Sequence, residues 1–363
     1  MVKNINEIDS PALLVYPERI EKNINTMIKM AGNTDTLRPH VKTYKMSEVV
    51  RLQMKAGIKK FKCATIAEAE MLAITKAPDV LLAYQPVGPK IARIFDLCRF
   101  YPKTKFSVLA DNKFTIDNLS EFFSKGRNIL NIYIDIDSGN HRTGIDPAKA
   151  FEIFEYAWNT QALNPVGIHV YDGHIRDREF DVRKKKCDDE FKPVMDVIKK
   201  IQEKFSIKPE IIAGGTPTFP VHAERTDVIC SPGTTLFWDW GYDESFEDLS
   251  FDFAAVIISR VISKPGDNRL CLDLGHKSIA SENPLESRIH FLNLPEAEFI
   301  GHSEEHLVMK VEDNSSYKIG QEIYGIPIHI CPTTALYERV FVIENSKFIK
   351  TWRVTARDRM INH

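Results

Sequence analysis

From residue 12 to about residue 240 the chain repeats one pattern, a short β-rich apolar run followed by a helical stretch. ALLVY (12–16) leads into a Lys/Asn/Ile/Met segment ending near Ala31. TLRPHVKTY (36–44) leads into MSEVVRLQMKAG, which stops at Gly57 as a helix commonly does. KKFKCAT (59–65), VLLAYQ (80–85), KFSVLA (105–110), ILNIYIDID (129–137) and VGIHVYDG (166–173) each precede a further helical pattern. PEIIAGG (209–215) and DVICSPG (227–233) close the series. Strands alternating with helices of about 10–15 residues predict parallel βαβ units. Eight or so units in about 230 residues fit an α/β fold of the (β/α)8 TIM-barrel type, with a doubly wound sheet as the alternative that pattern alone leaves open.

After about residue 250 the texture changes. FDFAAVIISRVIS, NRLCLDLG, RIHFLNL, HLVMKVED, QEIYGIPIHIC, RVFVIE and KFIKTWRVTA are all β-like and separated by turn residues. This predicts a C-terminal antiparallel β domain. The expected division is a barrel over residues 11–245 and a β domain over residues 246–363, joined by residues 1–10.

Composition narrows the function classes. The 363 residues are 43% hydrophobic and 27% charged, the balance of an ordinary globular protein. With 48 basic and 50 acidic residues the net charge is −2, so no global excess draws the chain to nucleic acid or to an anionic membrane. No apolar run approaches the roughly 18 residues of a membrane span, and the N-terminus lacks the apolar core of a secretory signal. Six scattered cysteines with no CxxC pair suit a reducing compartment, and a cytoplasmic protein is expected. The segment RDREFDVRKKKCDDE (176–190) is mixed in sign and reads as the solvated start of a helix.

In a parallel barrel, functional residues sit at the carboxyl ends of strands. That rule selects Lys42, Arg142, Tyr171, the run Gly214-Gly215-Thr216, and Ser231-Pro232-Gly233-Thr234. A lysine directed into a barrel mouth is either paired or held as a neutral amine able to form a Schiff base, and a surface lysine at a strand end is the plain alternative. The two glycine turns let backbone N–H groups approach an anion, at the late-barrel position where phosphates commonly bind. His329-Ile330-Cys331 reads as part of an extended strand, in which residues two apart share a face. An imidazole beside a thiolate suits zinc, and a buried cysteine next to a hydrogen-bonded histidine is the alternative.

Taken together, PHVKT around Lys42, DSGNHRTG (137–144), YDGH (171–174), GGTPTF (214–219), SPGT (231–234) and HICPT (329–333) resemble, in order and spacing, the D-threonine aldolase and D-serine dehydratase family. These are fold-type III pyridoxal phosphate enzymes distantly related to alanine racemase. The resemblance runs from PALLVY to WRVTAR, and its family fold is a barrel followed by a β domain.

The resemblance implies roles. Lys42 matches the lysine that holds pyridoxal 5′-phosphate through its amine. Gly214, Gly215, Thr216, Gly233 and Thr234 match the phosphate cradle. Arg142 matches the arginine reaching the cofactor's phenolic oxygen, and Tyr171 the aromatic position near the pyridine ring. His329 and Cys331 match a metal pair, with zinc favoured by the soft thiolate and manganese as the alternative. A homodimer is also implied, with the metal pair approaching Lys42 only across the subunit interface. Two positions depart from the family: Tyr44 stands where histidine is common, and Ser231 where the racemases place an arginine facing the pyridine nitrogen.

The expected activity is that of a pyridoxal phosphate- and metal-dependent lyase on small D-3-hydroxy amino acids. Dehydration with ammonia loss is favoured over aldol cleavage by the thiolate, and His169 and His174 are candidate bases for the cleavage. The rivals are a racemase drawing on Tyr317, Tyr324 or Tyr337, a non-catalytic pyridoxal phosphate-binding barrel, and a cofactor-free sugar-phosphate enzyme.

Overall fold

The computed structural model describes residues 2–363. The strands are β1 (Ala12–Val15), β2 (Lys60–Cys63), β3 (Asp79–Leu82), β4 (Lys105–Ala110), β5 (Leu130–Ile136), β6 (Leu163–Val170), β7 (Glu210–Ala213) and β8 (Val228–Cys230). They continue with β9 (Ala255–Ser263), β10 (Arg269–Leu272), β11 (Ile289–Phe291), β12 (Glu298–His302), β13 (Leu307–Lys310), β14 (Glu322–Pro327), β15 (Arg339–Glu344) and β16 (Lys347–Arg353). The helices are α1 (Pro17–Ala31), α2 (Ser47–Lys55), α3 (Ile66–Ile74), α4 (Pro89–Phe100), α5 (Lys113–Lys125), α6 (Pro147–Trp158), α7 (Phe180–Phe205), α8 (Phe219–Ala223), α9 (Trp240–Ser245) and α10 (Ile330–Leu336). The chain divides into two compact units. One contains Asn25–Lys42, Val50–Gly233 and Asp358–His363; the other contains the residues up to Ile24, Thr43–Val49 and Thr234–Arg357.

The first unit is the parallel barrel. Strands β2 to β8 are hydrogen-bonded neighbours in sequence order, and helices separate them. Residues 37–40 supply the remaining stave through single bridges, Leu37 to Cys230 on β8 and His40 to Lys62 on β2. The N–H groups of Arg38 and His40 donate to the carbonyls of Cys230 and Pro232, and Lys62 N–H donates to the Pro39 carbonyl. Pro39 has no N–H to extend this ladder. The stave is therefore too short to be a strand, and Lys42 sits in a single 3-10 turn, Val41–Thr43, instead of the β run expected from the sequence.

Leu81, Leu109, Tyr133, Ile212 and Ile229 pack together inside the barrel. They come from successive staves and form a layer of the kind that fills such barrels. Beside them Arg38 is fully buried, with Nη1 2.6 Å from Asp79 Oδ1 and Nη2 3.7 Å from Glu210 Oε2. Tyr133 Oη donates to the same Glu210 carboxylate at 2.6 Å. The charged segment near residue 180 is indeed helical. Within it, Arg183, Cys187, Phe191, Val194, Ile198 and Ile201 recur at three- and four-residue spacing and form the buried face of α7.

The second unit is a mixed sheet in the order β12-β13-β10-β9-β1-β15-β16, with β14 paired to β9 and β11. The run ALLV, placed by the sequence at the head of the barrel series, belongs here. It pairs antiparallel with β9 and parallel with β15. All four of its residues are buried, so its apolar pattern names no particular partner. The β1–β15 pair is the parallel exception in an otherwise antiparallel set of ladders. Among the described residues no helix is long and apolar enough to cross a membrane, and no disulfide joins the cysteines.

Gly167 lies against the backbone of the neighbouring strand. It pairs with Glu210 on β7, and a Cβ at this position would lie 2.0 Å from the Glu210 carbonyl oxygen. Gly167→Ala is expected to destabilise the protein by about 3 kcal/mol, the upper range of ordinary overpacking. Gly301→Ala on β12 meets nothing within 4 Å and is expected to stay within about 0.5 kcal/mol of the parent. Urea unfolding separates the two; equal midpoints would show that the β6–β7 approach imposes no constraint.

Candidate functional site

Parallel register brings the carboxyl ends of the staves to one end of the barrel unit. Tyr171, just beyond β6, is the centre of its charge distribution. Arg142 Cζ lies 4.8 Å from the Tyr171 ring centroid, Lys62 Nζ 5.9 Å and Lys42 Nζ 6.0 Å. Three cations around one ring gain some cation–π stabilisation but repel one another, an arrangement that an anionic ligand relieves.

Lys62 was not among the residues the sequence singled out. It is 2% exposed, and its Nζ lies 3.4 Å from His169 Nε2. His169 Nδ1 lies 2.7 Å from Asp135 Oδ1. Asp135 Oδ2 accepts from Gln85 Nε2 at 2.9 Å, and the same Gln85 amide donates to Asp111 Oδ2 at 2.9 Å. Burial raises the Asp135 pKa, but bonds from His169, Thr143 and Gln85 hold it below the ordinary carboxylate value. An ionised carboxylate only accepts, so His169 carries its proton on Nδ1 and presents the Nε2 lone pair to Lys62. Burial and the Lys62 charge lower the His169 pKa, which keeps the ring neutral. Burial, then the charge of Lys42, pull the Lys62 amine down to about 7 against the opposing pull of Asp135 and Asp172.

The glycine turns form the adjoining wall. Gly214 has φ +79°, a conformation suited to glycine, and a Cβ on Gly215 would come within 3.1 Å of Tyr171 Cε2. Gly233 N–H donates to Thr216 Oγ1 at 3.2 Å, which ties the turn after β7 to the turn after β8. Ser231 Oγ is buried there with no hydrogen-bond partner. A buried hydroxyl left unpaired is costly and points to a missing partner. Clustered cations, a glycine-lined wall and an orphaned hydroxyl together fit a planar, phosphorylated heteroaromatic cofactor such as pyridoxal phosphate.

The barrel unit thus holds Lys42, Arg142, Tyr171, Gly214, Gly215, Thr216 and Gly233; the other unit holds Thr234, His329 and Cys331. The last two do not lie on a strand as expected. Strand β14 ends at Pro327, His329 caps the N-terminus of α10, and Cys331 lies in its first turn. Pro332, next along, has the fixed φ that a helix start favours and a strand interior does not. The two side chains nevertheless bond to each other. His329 Nδ1 lies 2.6 Å from Glu282 Oε1, and buried Asp239 accepts from the Ile330 N–H at 3.0 Å. Burial lowers the His329 pKa, but the bond and charge of Cys331, the bond to Glu282 and the charge of Asp239 push it up to about 9. Such an anion-rich pocket, with a carboxylate turning the imidazole, fits a divalent cation.

Cys331 Sγ lies 3.0 Å from Thr43 Oγ1 and 3.7 Å from Thr234 Oγ1 of its own chain. Thr43 directly follows Lys42 in sequence.

Both candidate histidine bases are already engaged. His169 uses both ring nitrogens, and His174 Nε2 lies 2.8 Å from Glu190. Of the tyrosines available to a racemase, Tyr337 is committed to the Ser278 carbonyl at 2.7 Å. Glu282 and Gln85 carried no motif. Lys62 did carry a signal, since a lysine between Phe61 and Cys63 in a strand of the barrel has to be either buried or misplaced.

Residues 15–239 match the family described as the alanine racemase N-terminal domain, and residues 254–343 match the putative serine dehydratase domain. The D-threonine aldolase of an Arthrobacter species is 25% identical over 96% of this chain and 93% of its own length. The D-serine dehydratase of Dictyostelium discoideum is 25% identical over 95% of this chain and 96% of its own. Among solved structures, the D-threonine aldolase from Filomicrobium marinum superposes with a TM-score of 0.87 at 23% identity, over 97% of this chain and 96% of that one. A D-threo-3-hydroxyaspartate dehydratase from a Delftia species gives 0.85 at 18% identity, over 95% of this chain and 97% of that one. Structures of that dehydratase also include a histidine-to-alanine variant and a metal-free cysteine-to-alanine variant.

The depressed Lys62 amine has a signed consequence for stability. An unfolded lysine titrates near 10.5 and Lys62 near 7, so between these values the folded chain binds fewer protons than the unfolded one. Lys62 therefore costs increasing stability as pH falls from about 10 to about 7, and no more below that. In the cofactor-free protein, Lys62→Met is expected to gain on the parent by roughly 1.4 kcal/mol for each pH unit descended in this window, then to hold a constant difference. Urea unfolding at several pH values reads this. A difference that does not change with pH would mean that Lys62 stays charged in the folded protein.

Proposed function

Because this chain belongs to the fold-type III pyridoxal phosphate lyases of the D-threonine aldolase and D-serine dehydratase family, we propose that it is a homodimeric, zinc-assisted dehydratase of D-3-hydroxy amino acids, with D-serine and D-threonine as its first substrates. The observation that carries this reading is the pairing of His329 with the Cys331 thiol beside Glu282. A thiolate is a soft ligand that suits zinc, whereas a carboxylate in its place would suit a harder ion such as manganese. The histidine and cysteine altered in the solved dehydratase variants are two residues apart, the same spacing as His329 and Cys331.

Bound pyridoxal phosphate supplies the electron sink that stabilises negative charge at the substrate's α-carbon. Lys42 is assigned as the residue that holds the cofactor and afterwards takes the α-proton on Nζ. The turns at Gly214–Gly215 and Gly233–Thr234, with the Thr216 hydroxyl, are assigned to the phosphate. Arg142 is assigned to the phenolic oxygen, Tyr171 to the ring face and Ser231 Oγ to the pyridine nitrogen. His329 Nε2 and Cys331 Sγ would hold the cation, which would supply Lewis-acid polarisation of the substrate's 3-hydroxyl. Glu282 orients the imidazole by accepting from Nδ1, which would leave Nε2 for a metal.

Aldol cleavage is the second reading, because the Arthrobacter aldolase matches the chain as fully as the dehydratases do. The two reactions give different products. Dehydration converts D-serine to pyruvate and D-threonine to 2-oxobutanoate, each with ammonia; cleavage of D-threonine gives glycine and acetaldehyde. Incubation with D-threonine is expected to yield 2-oxobutanoate in excess, and glycine as the main product would replace the dehydratase reading with the aldolase one. An absorbance band near 420 nm that is absent in Lys42→Ala is expected whichever reaction runs.

The metal assignment has its own readout. Glu282→Gln should weaken zinc binding about 10–100-fold, as loss of such a supporting carboxylate usually does. Competition with a chromogenic chelator measures it. If zinc is held equally well by this variant and by Cys331→Ala, the cation is bound elsewhere.

A further inference from the structure

Behind the glycine turn lies a buried polar cluster with no part in the chemistry above. Asp172 follows Tyr171, and both it and His222, on α8, are almost fully buried. Asp172 Oδ2 lies 2.7 Å from His222 Nε2, and Asp172 Oδ1 accepts from Thr218 Oγ1 at 2.7 Å. Thr218 Oγ1 in turn accepts from the Gly215 N–H at 3.3 Å. His222 also backs the neighbouring glycine, since a Cβ on Gly214 would meet His222 Cδ2 at 2.6 Å. The Arg225 guanidinium donates to His222 Nδ1, so the imidazole proton is on Nε2 and goes to Asp172.

Asp172, Cys187 and His222 could be taken for a metal site, since their ligand atoms lie within 4.8 Å of one another. The surroundings oppose this. Both nitrogens of His222 are engaged, and the Arg225 nitrogens lie 3.7 and 3.8 Å from Cys187 Sγ, where they repel a cation. Burial and the Asp172 charge push the Cys187 thiol up to about 12, away from the thiolate that a metal needs. The cluster is complete as a hydrogen-bonded unit, and Thr218 links it to the glycine turn.

We propose that Asp172, Thr218 and His222 are positioning residues that set the Gly214–Gly215 turn for the cofactor's phosphate. The inference rests on the pyridoxal phosphate reading above. Gly215 N–H is anchored through Thr218 to a carboxylate that is itself fixed by His222, and the ring of His222 limits how far Gly214 can retreat. Turn and anchor are therefore preorganised before an anion arrives, in a region where a loose turn would lose phosphate hydrogen bonds without disturbing Lys42. The effect falls on the phosphate and not on the pyridine ring.

The test compares pyridoxal phosphate with pyridoxal, which lacks the phosphate. Thr218→Val removes the hydroxyl while keeping the shape, and Thr218→Ser restores it; Asp172→Asn and His222→Gln weaken the anchor from the other side. Dissociation constants come from absorbance titrations of the full-length protein. Thr218→Val and Asp172→Asn are expected to weaken pyridoxal phosphate about tenfold or more, as loss of a buried hydrogen bond to a charged group does. Pyridoxal binding should stay within about twofold of the parent, and Thr218→Ser should recover most of the phosphate-dependent affinity. Equal losses for both ligands, or no loss for either, would overturn the inference. So would the loss of one equivalent of bound zinc in Cys187→Ser. If the parent itself binds no pyridoxal phosphate, the cofactor reading fails instead.

Discussion

The closure of the barrel at residues 37–40 is the constraint on which the site depends. Seven staves pair as continuous parallel strands, but the one that carries Lys42 is held by single bridges on either side of Pro39. A proline in this stave sacrifices ladder bonds and releases the backbone into a tight turn within two residues. The lysine consequently sits at the rim, in the turn Val41–Thr43, and is not threaded into the wall. The other residues assembled around Tyr171 take their positions from continuous parallel strands and the turns that follow them. Lys42 alone takes its position from a stave that stops early.

Electrostatics then explains why these residues tolerate one another. Arg142, Lys62 and Lys42 face one ring, and a buried Lys62 beside another ammonium group would be costly if charged. The chain from Lys62 through His169 to Asp135 and Gln85 answers this by offering a neutral imidazole as acceptor and an ionised carboxylate at its far end. The barrel thereby keeps a positive field around Tyr171 without burying three fixed charges. Arg38, deeper in the same barrel, is handled differently, by direct pairing with Asp79 and proximity to Glu210. One buried cation is neutralised by carboxylates and the other by a lowered affinity for its proton.

Much of this was legible in the sequence, for physical reasons. Strand–helix alternation is a local signal, so the barrel could be read, and the strand-end rule selected the glycine turns and Tyr171. Pairing partners are not local. The fully buried run ALLV suited a barrel wall and a sheet centre equally, and only tertiary contacts placed it between β9 and β15. His-x-Cys reads in the sequence as part of an extended strand, whereas its residues lie at the start of a helix. Pro327 ends the strand and Pro332 lies in the first turn of α10, a break that the β-like texture of QEIYGIPIHIC does not display. Lys62, Asp135 and His169 became a unit only when β2, β5 and β6 were brought side by side, something no spacing along the chain encodes.

The choice between dehydration and aldol cleavage does not lie in the fold, because aldolases and dehydratases share it at comparable similarity. It lies in which proton leaves first. Cleavage needs a base at the 3-hydroxyl; dehydration needs one at the α-carbon and a hydroxyl polarised enough to depart. His169 is poorly suited to be the hydroxyl base, since its Nε2 lone pair is occupied by Lys62 and its Nδ1 proton by Asp135. His174 is held by Glu190. Tyr44, standing where the resembling family commonly carries a histidine, is fully buried and packs against Phe237 with ring centroids 6.1 Å apart. The usual sources of a hydroxyl base are thus each committed to another task, whereas the roles proposed for Lys42 and for His329 with Cys331 call for no such base. That imbalance, and not the overall likeness to any relative, is what tips the reading toward dehydration.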